Sequence, residues 1–244
     1  MPKVRLVNKD VINKELELAG WMASVSTATD NTNYTKIAEN CIDSRHGTPT
    51  RAMRFIFEIE GVSRAFSHEF VRHEIGTGKV QRSQRYVNED RFQYVKPAGL
   101  ENKTIVLTVP GTDGHIISLD YDQFQDLVAQ MYNGYIFLGA KAEDARYVLT
   151  NGTFTKLHVS FDWEALKNFC ERRCCSRTQW EIRDIANLMR DEVSDVNEFL
   201  GKRLGAYCET HGYCPEVKGC GKAMSLATMK EYAWRYDTIK DKYI

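Results

Sequence analysis

Arg72-His73-Glu74 is followed, after eight residues, by Ser83-Gln84-Arg85-Tyr86. Cations, hydrogen-bond donors and a serine hydroxyl thus fall close together in the chain. Such a group is costly to assemble unless an anion offsets its charge. An arginine's planar fork grips a phosphate through two parallel bonds, and a loop hydroxyl adds a positioned donor. Two cationic groups separated by a short loop suit two anions, such as a cofactor pyrophosphate and a nucleotide phosphate. Taken alone, Arg72 and His73 would read as solvated cations at a helix end, favoured there by the helix dipole. Their combination with Ser83 and Arg85 argues for a site.

Three further blocks carry chemistry. Ala142-Glu-Asp-Ala-Arg146-Tyr-Val-Leu149 places an arginine at the end of an amphipathic pattern. Residues 166 to 183 contain Asn168-Phe169, Arg172-Arg173 and Gln179-Trp180-Glu181-Ile182. Trp180 reads as a core residue. Ser44-Arg-His46-Gly-Thr48-Pro49 precedes a strand-like run.

The first three blocks, in order along the chain, resemble the signature segments of the flavin-dependent thymidylate synthases, and the Ser44–Pro49 block resembles a further segment of that family. That signature reads Arg-His-Arg, seven or eight residues, then Ser and an Arg-Tyr pair; here Glu74 takes the third place. The resemblance covers about residues 40 to 200. It implies an α+β (α/β) fold of that family's type, a mixed sheet with long helices, assembled as a homotetramer with sites between subunits. It implies transfer of a one-carbon unit from methylenetetrahydrofolate to C5 of dUMP, giving dTMP. FAD is the implied cofactor, with NADPH and the folate as co-substrates. Arg173 and Ser83 are the implied catalytic residues. The substrate set is Glu69, Gln81, Ser83, Gln84, Arg85, Arg146 and Arg173. The cofactor set is His46, Thr48, Arg72, His73, Ile75, Asp162 and Asn168.

Several positions depart from the family pattern, mostly by changing charge. Arg51-Ala52 stands where Glu-His is usual, Glu69 replaces a glutamine, and Asp162-Trp-Glu164 replaces Asn-x-Arg. One reading is a charge exchange in which Arg51 pairs with Glu74 or Glu164, since a swapped ion pair survives where a broken one does not. Two alternative functions follow from the same departures. One is a dUMP or dCMP hydroxymethylase making modified DNA precursors. The other is a catalytically silent nucleotide-binding subunit.

Composition bounds these readings. Lys plus Arg and Asp plus Glu both number 33 in 244 residues, so no bulk charge suggests direct nucleic-acid binding. No apolar run is long enough to span a bilayer. The first residues lack the apolar core of a signal peptide, which leads to a cytoplasmic expectation. The seven cysteines are odd in number, against a disulfide framework. Cys208, His211, Cys214 and Cys220 form a candidate zinc quartet, although their spacing is shorter than in common zinc modules. Free thiols are the preferred reading, with no metal.

The elements that must position these residues follow from periodicity. Lys3 to Val7 reads as a strand, and Asp10 as the cap of a helix through Met22. Ser26 to Tyr34 is loop-like, Tyr34 to Asp43 helical, and Gly47 to Pro49 a turn. Arg54 to Val62 alternates as a half-buried strand. A helix from Ser63 to about Ile75 is broken by Gly76-Thr-Gly78, leaving Ser83 and Arg85 in a loop that leads into a strand over Tyr86 to Val95. Pro97 to Gly114 is turn-rich, with a strand at Thr104 to Val109. One long helix is expected over Asp122 to Val148, a strand over Thr155 to Val159, and helices over Asp162 to Glu171 and Arg177 to Leu200. The mixture lacks regular βαβ alternation, which suggests α+β layering. Residues 1–205 read as a catalytic domain and 206–244 as a Cys-rich extension.

Overall fold

A computed structural model of the chain describes residues 2–26, 32–89, 92–109, 111, 113–226 and 228–230. Its strands are β1 (Lys3–Leu6), β2 (Arg54–Ser63), β3 (Thr77–Gln81), β4 (Thr104–Thr108), β5 (Ile116–Asp120) and β6 (Phe154–Asp162). The larger sheet has the order β1-β2-β6-β3, and β4 and β5 form a separate antiparallel ladder from Thr104↔Asp120 to Thr108↔Ile116. The helices are α1 (Ile12–Ser24), α2 (Tyr34–Asp43), α3 (Gly47–Thr50), α4 (Arg64–Phe70), α5 (Tyr121–Phe137), α6 (Ala142–Ala145), α7 (Trp163–Arg173), α8 (Trp180–Val196), α9 (Glu198–Gly201) and α10 (Tyr207–His211). The α+β expectation holds.

Two compact units divide these residues. The first comprises the described residues of Met1–Lys3, Ile59–Arg72 and Lys79–His158; the second comprises those of Val4–Glu58, His73–Gly78 and Val159–Ile244.

In the second unit, the core forms by period-two burial meeting helical burial. Phe55 and Phe57 of β2 and Val159 and Phe161 of β6 are buried. Phe57 meets Phe161 edge-on, with ring centroids 6.4 Å apart. Helix α7 buries Trp163, Leu166, Phe169 and Cys170, a spacing that places them on one face. Asp162 caps α7, its Oδ1 accepting from the Ala165 amide at 2.7 Å. Gln179 caps α8 by accepting from Ile182 at 3.0 Å.

Gly76 sits at φ +73°, and an added Cβ would lie 2.3 Å from Asp162 Oδ2. Only glycine fits both that backbone region and that approach. In the first unit, Asp120 and Gln123 form a reciprocal capping box at the start of α5.

Several elements differ from the sequence expectation. Asp10 lies inside a short 3-10 turn, Lys9–Val11, and Val11 takes the cap position of α1. Gly47–Thr50 is one helical turn rather than a simple reversal. Helix α4 stops at Phe70, so Arg72 lies beyond it in a turn and His73 in the irregular segment that follows. The segment read as a breaker continues directly into β3. Tyr86 to Val95 is not a strand in its described part, which holds only a single bridge, Tyr94↔Thr153. Asp90 and Arg91 of that segment lie outside the described residues, as do 27–31 of the expected loop, 110 and 112 of the turn-rich stretch, and 227 and 231–244 of the extension.

The long helix over 122–148 is broken. Helix α5 ends at Phe137, Gly139 takes φ +89°, and α6 and a 3-10 turn follow. The last expected helix starts later and is split at Asn197, which caps α9. Trp180 is 38% exposed rather than core, because α8 buries the face holding Glu181, Ile182, Ile185 and Met189.

Candidate functional site

The first unit gathers the loop after β3 and the turn after α6. Glu143 organises both arginines expected there. Its Oε2 accepts from Arg85 Nε at 2.7 Å, and its main-chain carbonyl accepts from Arg146 Nε at 3.0 Å. Ser83 Oγ accepts from the Arg85 amide at 3.2 Å, which fixes the loop. Arg85 also lies over the Tyr86 ring, 5.2 Å from its centroid. Gln81 donates to Thr155 Oγ1 at 3.2 Å. Glu69 is half-buried, and Arg72 is exposed.

Arg64, absent from the sequence reading, belongs to this group. It is the first residue of α4, held by a bond from its terminal nitrogen to the Arg82 carbonyl at 3.0 Å. Its Nε is buried with no hydrogen-bond partner among the described residues, and so is Gln84 Nε2. Burial lowers the Arg64 pKa, the nearby Glu89 carboxylate raises it, and the Arg146 charge lowers it again. Glu89 itself forms a two-point pair with Arg82, at 3.1 and 3.2 Å. Two guanidiniums that feel each other, one with an orphaned donor, are a pair whose repulsion an anion would relieve. In sequence, Arg64 reads as an ordinary helix-start residue; only its burial reveals the role.

The second unit holds the other group. Arg173, in the last turn of α7, donates from Nε to His73 Nε2 at 2.9 Å. A guanidinium can only donate, so His73 accepts at Nε2 and its ring proton sits on Nδ1. The His73 ring stands edge-on to Phe169 at 5.0 Å. Asn168 Oδ1 accepts from Arg172 Nε at 3.0 Å. Arg172 and Arg173 stand at the helix C-terminus, where the dipole favours cations. His46 and Thr48 are exposed at the start of α3, and Ile75 is 93% exposed.

The expected exchange between Arg51 and the acids is not formed within the described residues. Glu164 Oε1 instead accepts from Thr50 Oγ1 at 3.0 Å and packs against Gly47. Asp162, expected to contact cofactor, turns its carboxylate to the α7 amides. Both acids therefore have structural partners. The residues present fit an anionic cofactor.

The zinc quartet does not assemble: no group of three or more His, Cys, Asp or Glu side chains able to hold a metal occurs among the described residues. His211 stacks on Tyr207 with centroids 3.9 Å apart. Its Nδ1 faces Thr210 Oγ1 at 2.8 Å and its Nε2 lies 3.7 Å from Glu171. All seven cysteines are free thiols. A hydrogen bond with Cys174, together with burial, pushes the Cys170 thiol well up. The exposed Cys220 is drawn down by the Ser176 hydroxyl and neighbouring backbone. Because the thiolate is the nucleophile, iodoacetamide near neutral pH is expected to label Cys220 first and Cys170 last. Timed alkylation with peptide mapping checks this order; labelling of Cys170 ahead of Cys220 contradicts it.

The chain thus carries, on an α+β scaffold, two separate arginine-bearing groups. The profile of the family described as thymidylate synthase complementing protein matches residues 6–197. The chain is 34% identical over 212 residues to the flavin-dependent thymidylate synthase of Nitratidesulfovibrio vulgaris, covering 83% of this chain and 82% of that one. It is 38% identical over 189 residues to the enzyme of that name from Clostridium tetani, covering 74% of each. With that of Pyrococcus horikoshii it shares 29% over 257 residues, covering 100% of each. The chain belongs to this family. No helix among the described residues is long and apolar enough to cross a membrane.

Proposed function

We propose that this protein is a flavin-dependent thymidylate synthase, an enzyme that converts dUMP to dTMP using methylenetetrahydrofolate, FAD and NADPH. The observation that carries this reading is the Arg64–Arg146 cradle, whose orphaned Nε calls for an anion. Arg64, Arg85 and Arg146 hold the nucleotide phosphate, with the Ser83 hydroxyl as a further donor. Gln84 Nε2 supplies a buried donor to the same ligand. Gln81 and Glu69 complete the substrate set.

Arg173, oriented by His73, faces the pyrimidine. Its fixed charge stabilises the negative charge that develops on the ring as C5 attacks the one-carbon donor. Bound flavin supplies the redox chemistry of the transfer. Asn168, Arg72, His73 and Ile75 position it, with His46 and Thr48 at the rim and Asp162 shaping the site through its cap on α7.

The active form is a homotetramer of the family's fold. Helix α5 exposes Phe124, Leu127, Met131 and Tyr135 on one face, and α1 exposes Leu18, Trp21 and Met22 on one face. Apolar helix stripes of this kind suit burial against further copies of the chain. Residues 1–205 form the catalytic domain and 206–244 an extension, and the protein works in the cytoplasm.

Anaerobic incubation with FAD, NADPH, methylenetetrahydrofolate and either dUMP or dCMP tests the reaction. The expected product is dUMP heavier by one methylene unit. A gain of a methylene plus an oxygen identifies a hydroxymethylase, and nucleotide binding without product identifies a silent subunit. Either result overturns the assignment.

A further inference from the structure

Within the second unit, α10 packs on the end of α7. His211 Nε2 lies 3.7 Å from the Glu171 carboxylate, and the His211 ring stacks on Tyr207. Arg177, in the turn after α7, donates to the Lys218 carbonyl and holds the tail from its other end. Cys175 stands four residues beyond Glu171, and Cys208 three residues before His211. Those are same-face steps, so the two surfaces that meet at Glu171 and His211 each carry a thiol. Both thiols line one cavity of about 650 Å3. The Cys208 thiol feels that of Cys175 more strongly than that of Cys214.

The other five thiols are placed differently. Cys214 also lines the cavity, but its amide donates to the Met224 carbonyl at 2.8 Å and its carbonyl accepts from the Leu226 amide at 2.9 Å. Its Sγ lies against Gly219, 3.1 Å from where a Cβ would stand there. Cys170 and Cys174 are buried and bonded to each other. Cys220 is exposed and bonded to the Ser176 hydroxyl. Cys41 lies on α2. Three guanidiniums line the cavity, those of Arg172, Arg173 and Arg177, against the two carboxylates of Glu171 and Glu216. That balance draws an anionic reagent to the two sulfurs and favours the thiolate there.

We propose that Cys175 and Cys208 form a thiol modification site, at which an anionic soluble disulfide such as oxidised glutathione joins α10 to the turn after α7. In the first step one protein thiolate attacks a glutathione sulfur. A mixed disulfide forms, the glutathione S–S bond breaks, and the expelled thiolate takes up a proton. In the second step the other protein thiolate attacks the bound protein sulfur and expels the second glutathione, which is protonated in turn. Two protein thiols are oxidised and one glutathione disulfide is reduced to two thiols. In a reducing cytoplasm such a bond is a transient response to oxidation rather than a permanent staple.

The test uses the full chain carrying Cys220→Ser, which removes the exposed thiol as a competing site. The reduced protein is incubated with oxidised glutathione, its remaining thiols are blocked, and its peptides are mapped by mass. The expected product is a Cys175–Cys208 cross-linked peptide that dithiothreitol releases. Closing the chain between these residues restricts the unfolded ensemble, so the thermal midpoint should rise on oxidation and return on reduction. Cys175→Ser and Cys208→Ser should each abolish the cross-link and the rise, whereas Cys214→Ser should keep both. A map in which Cys175 or Cys208 pairs with another cysteine overturns the proposal. So does one in which both stay thiols, or carry glutathione without forming a cross-link.

Discussion

Nucleotide affinity should fall by about 1.5–3 kcal/mol when Arg146 is replaced by alanine, the cost of losing a hydrogen bond to a charged group. That corresponds to roughly a 10- to 100-fold rise in Kd for dUMP. The substitution removes one arm of the cradle and the bond from Arg146 Nε to the Glu143 carbonyl. It leaves the Arg85–Glu143 pair in place. It also relieves the like charge near Arg64, so the free protein should lose little stability or even gain some. Calorimetry with dUMP, paired with thermal unfolding of the unliganded protein, separates the two effects. An Arg146→Ala protein that binds dUMP like wild type would falsify the cradle as the phosphate site.

Phe169→Ala should cost the fold about 3–5 kcal/mol, the range for emptying a buried aromatic site. The ring is fully buried, tilted against Phe161 at 5.5 Å and edge-on to His73 at 5.0 Å. Its loss opens a cavity at the base of α7 and frees the imidazole that orients Arg173. Stability and site geometry should therefore fail together. Urea unfolding gives the first quantity, and ligand binding by the folded fraction gives the second. Phe169→Leu keeps most of the volume and should lose much less stability. If the alanine variant unfolds at the wild-type midpoint, the packing account is wrong.

The elements legible in sequence were those whose signal is local. Tyr34 to Asp43 reads as a helix and is one, with Asn33 accepting from Lys36 at its start. The alternation of Phe55, Phe57 and Ile59 marks β2 for the same reason. Strand β3 was hidden because Gly76 and Gly78 look like breakers; Gly76 is needed for a close approach, and Gly78 lies within the strand. The break at Gly139 was missed because one glycine inside an amphipathic pattern is a weak stop signal.

The site divides in the same way. Arg85, Arg146, His73 and Arg173 stand in blocks with recognisable spacing. Arg64 and Glu143 act through burial and through contacts distant in sequence, which no spacing encodes. The fate of the acids was also tertiary. Glu164 finds a hydroxyl in α3 rather than Arg51, and Asp162 finds the Ala165 amide of its own helix.

The close approach between Gly76 and the Asp162 carboxylate ties together two positions far apart in the chain. The Gly76 carbonyl accepts from the Asp162 amide at 2.8 Å, while the Gly76 α-carbon occupies space beside its side chain. Descent with modification is therefore narrowed at both ends of this approach. Shortening residue 162 forfeits a helix cap yet leaves position 76 closed, because the left-handed φ of +73° remains and an added Cβ would still lie 2.8 Å from the Ala165 Cβ. Descendants of this chain that remain folded keep glycine at 76 whatever becomes of residue 162.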